Sequence, residues 1–371
     1  MRARVVVVLL LLCMLPSAAA TGAAGARPDR GSAVVVDSTS GREIARVSAS
    51  GAMVAAVADG RGGWFVGGSF TRIGGQSRVA IAHLLRNGAV DPAWRSSIGS
   101  ASGRAVAVDA LARAGGRLFV AGSFGRVSGL RRPGLAALEA RTGAVLRGWA
   151  PKPRAWPDIA TMAVVGGRLL VARNYNYPVP GITALRIATA RVDWDWNPHL
   201  RLIGDAGSFN TLLPFRRRVF VAGSFRVAGL RQTGLVALDA DNGSGDRHWL
   251  PQVPNCRVCN GFGLLYGLAA TKRRIYVSGD FGRLDGVVRD GIAALNPRSG
   301  AVDRTWLPAQ GGSDVLHLAL TGSRLYLGGL TGLSALDAQT GAAVRLPPNH
   351  APTQVLALIP SGSRLLAAGR D

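Results

Sequence analysis

The segment RLFVAGSF, Arg117 to Phe124, returns about a hundred residues later as RVFVAGSF, Arg218 to Phe225. Aligned on it, GGWFVGGSF ends at Phe70 and KRRIYVSGDF at Phe281, a decayed GGRLLVARNY ends at Tyr175, and shorter copies end at Leu330 and Arg370. Each copy is preceded by an apolar run, such as AMVAAVAD or DVLHLALT, and followed by another, such as GLAALEA or GLVALDA. A turn of the type RTG, DNG or QTG comes next, and then in five copies a tryptophan: Trp94, Trp149, Trp196, Trp249 and Trp306. The runs are too short, and too often broken by Gly and Pro, to be helices, so each unit reads as four short strands joined by tight turns. Four strands per unit at a period of 40 to 56 residues is the pattern of a β-propeller blade, which has open edges and needs neighbours to bury its faces.

The units fix a count. Full ones occupy roughly 50–97, 105–151, 158–198, 208–253, 264–309 and 313–347, six in all. The C-terminus (about 353–371) supplies only the first two strands of another, and AVVVDSTSGREIARVS (about 33–48) matches the last two. The expected fold is therefore all-β: a seven-bladed propeller with four antiparallel strands per blade. Its ring is closed by N-terminal strands completing the C-terminal blade, which removes the free edges.

The first residues form a separate segment. Arg2 and Arg4 precede an apolar run from Val5 to Leu15, and small residues follow, with possible cleavage after Ala20 or Ala26. That is the layout of a secretory signal peptide over 1–26, leaving 27–371 as a single propeller domain, secreted or extracytoplasmic and expected to be a monomer. Cys13 lacks the small residue expected just before a lipidated cysteine, and no other run is long enough to be a transmembrane segment. Cys256 and Cys259 lie in NCRVCNG between Pro254 and Gly261, a loop context, and in an exported chain they are expected to form a local disulfide.

The chain has 44 Lys+Arg against 21 Asp+Glu, a net charge of +23, and only two lysines, Lys152 and Lys272. Attraction to a polyanion is one reading. A GC-rich genome is the other, and it also accounts for the scarcity of lysine. The loop after the repeated motif carries Arg72, Arg126, Arg226 or Arg283 just past the Phe, and then Arg78, Arg132 or Arg289, with Gln232 at the same place in the fourth unit. These guanidinium groups either form a broken ring that grips an anion or brace their own loops. Two units depart from the pattern. The third reads RNYNYPVPG, where Tyr175 and Tyr177 with Asn176 either stack on and hydrogen-bond a sugar or form a solvated loop, and the sixth has almost no loop.

Catalytic and metal patterns are weak. DADNGSGD has Gly243 and Leu250 where a calcium loop needs oxygen ligands, and His83, His199, His248, His317 and His350 are scattered. No nucleophile, base and orienting group can be assembled, and neither a metal nor another cofactor is expected.

FVAGSFGRVSGLRRPGLAALEARTGAVLRGWAP (119–151) resembles the delta-60-type repeat of exported bacterial β-propellers, in its G-x-F, L-A-A-L and W-x-P landmarks. That resemblance covers nearly the whole chain after the signal segment and implies the propeller fold and an extracytoplasmic place, with no catalytic residues to carry over. A fainter one, to quinoprotein-like repeats, rests on ALDAQTG (Ala335 to Gly341), but the tryptophan is mis-spaced: Gly143 to Trp149 is six residues, not four. The leading expectation is a non-enzymatic exported scaffold whose partner, on one rim, is an anionic cell-wall polymer, a glycan or a protein. The alternative is a propeller enzyme, a quinone-dependent oxidoreductase or a polysaccharide lyase.

Overall fold

The computed structural model describes residues 30–371 apart from 101–102, 104, 153–155, 175–180, 203–207, 228–232 and 254–263. All regular structure among the described residues is β, arranged as the repeated sheets of a β-propeller. In the first repeat Met53–Ala58, Trp64–Gly68 and Ile81–Leu84 pair antiparallel. The second repeats this with Ala110–Ala114, Arg117–Ala121 and Leu135–Glu139. The third has Ile159–Val165, Arg168–Arg173 and Ile182–Arg186, and the fourth Ser208–Phe215, Arg218–Val227 and Thr233–Asp239. Leu264–Ala270, Ile275–Asp280 and Ile292–Leu295 form the fifth, and Val315–Thr321, Arg324–Gly329 and Gly332–Asp337 the sixth.

The fourth strand expected in these units is a single bridge: Leu84–Val90, Leu138–Val145, Leu185–Val192, Leu238–Gly245, Leu295–Val302 and Leu336–Ala343. In the second to fifth repeats a W-x-P segment follows the bridge directly and takes the chain out of the ladder. The amides of Trp149, Trp196 and Trp249 bond to carbonyls three residues back, and Pro151, Pro198 and Pro251, lacking an N–H, cannot extend a ladder. A complete set of four strands occurs where the chain ends meet. Gln354–Ser361 pairs with Arg364–Arg370, which pairs with Gly31–Asp37 from Gly31 opposite Arg370 to Asp37 opposite Arg364, and Glu43–Ala49 follows. First strands of consecutive repeats lie against one another, and Gln354–Ser361 lies against both Val315–Thr321 and Met53–Ala58.

The glycine of the repeated motif has a steric cause. First strands bulge, for example between Phe209 and Thr211 and between Val355 and Ala357, and the bulge drives a carbonyl at the second strand. A Cβ at Gly223 would lie 2.1 Å from the Ser208 carbonyl oxygen, and one at Gly369 only 1.8 Å from that of Gln354. The third repeat carries Arg173 at this register, opposite Ile159, and its guanidinium stacks on Trp156 at 5.7 Å.

Tryptophans tie one repeat to the next. Trp94, Trp149 and Trp249 sit 5.5, 5.0 and 4.9 Å from Phe65, Phe119 and Phe220 of their own repeats. Their indole N–H groups donate into the following repeat, to the carbonyls of Ala140 (3.1 Å), Ile187 (3.0 Å) and Asn296 (3.1 Å). The fifth repeat differs because Tyr276 replaces the phenylalanine. Its hydroxyl donates to the Ala338 carbonyl, and the Trp306 indole nitrogen has no partner among the described residues.

Candidate functional site

The arginines singled out by their spacing spend their hydrogen bonds inside their own repeats. Arg72, Arg126 and Arg283 donate to the carbonyls of Gly75 (2.7 Å), Gly129 (3.0 Å) and Gly286 (3.2 Å), each three residues on. Arg78 donates to the carbonyls of Ser77 and Asp91, Arg132 to those of Arg131 and Arg147, and Arg289 to those of Val288, Asp303 and Trp306. Arg78 and Arg289 are buried. The Arg226 side chain, Tyr175, Tyr177 and the Cys256–Cys259 pair lie outside the described residues.

A second arginine series sits at the opposite end of the strands, where the second strand begins, as Arg117, Arg168, Arg218, Arg274, Arg324 and Arg364. In three repeats it pairs with the aspartate just after the bridge: Arg168 with Asp193 (2.7 Å), Arg218 with Asp246 (2.6 Å) and Arg274 with Asp303 (2.7 Å). Four of these arginines also strap their repeat to the following one. Arg218 reaches the Pro297 carbonyl (2.7 Å), Arg274 that of Gln339 (2.6 Å), Arg117 that of Ile187 and Arg364 that of Arg86.

The first repeat lacks this strap. Gly63 stands at the arginine position, where a Cβ would lie 2.3 Å from the Leu84 carbonyl oxygen and 2.8 Å from the Asp59 carboxylate. The orphaned aspartate, Asp91, is taken up by His83, whose Nδ1 lies 2.9 Å from Asp91 Oδ2 while Nε2 lies 3.0 Å from Asp59 Oδ2. The imidazole stacks on Phe65 at 4.6 Å. Asp59 Oδ1 accepts the amides of Arg61 (2.6 Å) and Gly63 (2.9 Å), and Asp91 Oδ1 those of Ala93 (2.9 Å) and Trp94 (3.4 Å). Burial alone would raise both carboxyl pKa values. The amides and the imidazole outweigh it, so both groups sit below the ordinary aspartate value. A carboxylate therefore lies against each ring nitrogen, and the imidazole is held from both sides. Both nitrogens are engaged, so His83 braces Asp59 and Asp91 where the strap arginine is missing.

Without the strap a cleft of about 700 Å³ opens between the first and second repeats. Its floor is Asp59, His83, Asp91 and Phe65, and its walls carry Arg61, Arg86, Arg113, Arg141 and Arg364. Arg113 lies across Gly60, where a Cβ would meet its Nη1 at 2.9 Å, and the Arg86 stem packs over Gly62. Arg141 stands 3.9 Å from Glu139, and no carboxylate lies within ion-pair distance of Arg61, Arg86 or Arg113 among the described residues. Guanidinium groups around a satisfied floor suit them to an anion. No group of three metal-ligating side chains occurs among the described residues. Motif reading missed this site. The signal was present as GGW (62–64) in place of GRL (116–118), but its meaning depends on where the arginine reaches.

A family model described as "Domain of unknown function (DUF5122) beta-propeller" matches residues 62–93, the stretch that holds Gly63, His83 and Asp91. No curated protein matches in sequence. Among solved structures, the extracellular domain of BT4673 from B. thetaiotaomicron is similar at 11% identity and a TM-score of 0.54, covering 86% of this chain and 38% of that one. The Pan2 WD40 domain of Neurospora crassa is similar at 10% identity and a TM-score of 0.52, covering 85% and 88%. Both similarities concern the fold: the chain is a β-propeller repeat protein. No helix among the described residues is long and apolar enough to cross a membrane.

Proposed function

We propose that the chain is an exported, non-enzymatic β-propeller scaffold that holds an anionic polymer or glycan in the cleft between its first and second repeats. The observation that carries this reading is the convergence of Arg61, Arg86 and Arg113, without carboxylate partners among the described residues, at the one repeat whose strap arginine is a glycine. The double engagement of His83 favours binding over proton-transfer chemistry, because the best placed general base in the cleft is already committed. Export rests on the segment over 1–26, with 27–371 as the exported domain. Seven blades and a closed ring, in the manner of the delta-60-type repeat, are supported by the pairing of Gly31–Asp37 with Arg364–Arg370 and by the succession of first strands. A closed ring also gives the cleft fixed walls, since Arg364 comes from the blade that joins the two chain ends.

The test is retention of the purified protein on bacterial cell-wall material at low ionic strength, alongside immobilised polyphosphate and polygalacturonate. Retention should weaken steeply as salt rises, because the contacts are solvent-facing charge pairs. An unretained protein at low salt on all three supports would overturn the reading.

A further inference from the structure

The turn closed by the bridge and the residues just past it follow one plan in most repeats, and the third reverses it. The third strand ends on Glu139, Asp239 or Asp337 in the second, fourth and sixth repeats, and Asn296 follows it in the fifth. Asp239, Asn296 and Asp337 cap the turn by accepting amides two and three residues on. Arg186 takes this place in the third repeat. Two residues past the bridge, Arg147, Arg247, Arg304 and Arg345 recur, and the third repeat has Trp194, followed by Asp195. Three positions flanking the Leu185–Val192 bridge have therefore changed character together.

The geometry makes a small platform of them. Trp194 is 72% exposed, whereas the other seven tryptophans are buried. Asp193 beneath it is buried and bonded to Arg168 Nε (2.7 Å) and Arg186 Nη2 (3.0 Å). The same Nη2 lies 3.5 Å from Asp195 Oδ2, so a half-exposed guanidinium from one side of the bridge and an exposed carboxylate next to the indole are held in one pair. An indole this exposed leaves most of its apolar surface in water.

We infer that Trp194, Arg186 and Asp195 form a binding site for a neutral pyranose ring of a glycan. The C–H face of a sugar packs flat on an indole, and its equatorial hydroxyls need both a donor and an acceptor at the ring edge, which Arg186 and Asp195 supply. A protein partner is the less suitable occupant, because interface centres bury several apolar side chains and this turn offers one, ringed by charge. The site is separate from the arginine cleft and calls for an uncharged ligand.

The lone exposed indole provides the readout. Acrylamide quenching of tryptophan fluorescence should report Trp194 almost alone, and neutral cello-, xylo- and chito-oligosaccharides at millimolar concentration should shield it. Calorimetry with the oligosaccharide that shields best should show binding lost in Trp194→Ala and weakened at least threefold in Asp195→Ala, with melting temperatures unchanged. Arg113→Ala, in the cleft, should leave it intact. Failure of every neutral oligosaccharide to shield Trp194 in the wild-type protein, or shielding by a hydrophobic peptide instead, would overturn the assignment, and so would binding that survives Trp194→Ala.

Discussion

At the scale of single residues, chemistry that a motif search would credit to function is often demanded by the backbone. The glycine of VAGSF is required because a bulged first strand pushes a carbonyl into the space of a side chain, as at Gly223. His83 is held by two carboxylates in place of a missing arginine. His317 has a different fate. It follows the bulge in Val315–Thr321, opposite Gly328, and burial pushes its pKa down from 6.5 to about 4. The native state therefore keeps the ring neutral in a range where the unfolded chain binds a proton. That contribution to stability is complete above about pH 6.5 and is lost as pH falls toward 4. Thermal melting of the wild type should decline between pH 7 and pH 4.5, and His317→Gln should flatten that decline. Identical profiles would show that His317 does not carry it.

At the scale of elements, strands and turns were legible because their cause is local. Alternating apolar runs and Gly-rich turns mark three strands of every repeat, and the complementary chain ends marked the pairing of Gly31–Asp37 with Arg364–Arg370. The fourth strand was overcounted, because the run up to Val145 or Val302 looks like a strand until the W-x-P turn removes the chain from the ladder. The terminal pairing has a direct consequence. Deleting residues 27–48 would leave Arg364–Arg370 as an unpaired edge with an uncovered apolar face, including Leu366 and Ala368, which pack with Val35 and Val47. The shortened protein should aggregate or melt at least 10 °C lower in light scattering and calorimetry, as expected when a whole sheet edge is lost. A monomer with unchanged melting would show that the strand is dispensable.

At the scale of the whole molecule, the site was the least legible part, and the reason is physical. The acceptors of the strap arginines are mostly backbone carbonyls of the next repeat, such as Pro297 and Gln339, and a carbonyl has no sequence identity. The spacing of Arg72, Arg126 and Arg283 was readable, but their acceptors three residues away were not. Gly63 was visible in an alignment of repeats, yet it becomes a cleft only when arginines from three sheets surround the gap. The central claim is that these arginines, rather than the regularly spaced ones, meet the anion. It is tested most directly by the salt dependence of binding to long-chain polyphosphate. Replacing Arg61, Arg86 and Arg113 together with Ala should make the slope of log affinity against log salt shallower by about two, since each lost contact removes somewhat less than one released counterion. The same replacement of Arg72, Arg126 and Arg283 should leave the slope as in the wild type, and the reverse pattern would contradict the account.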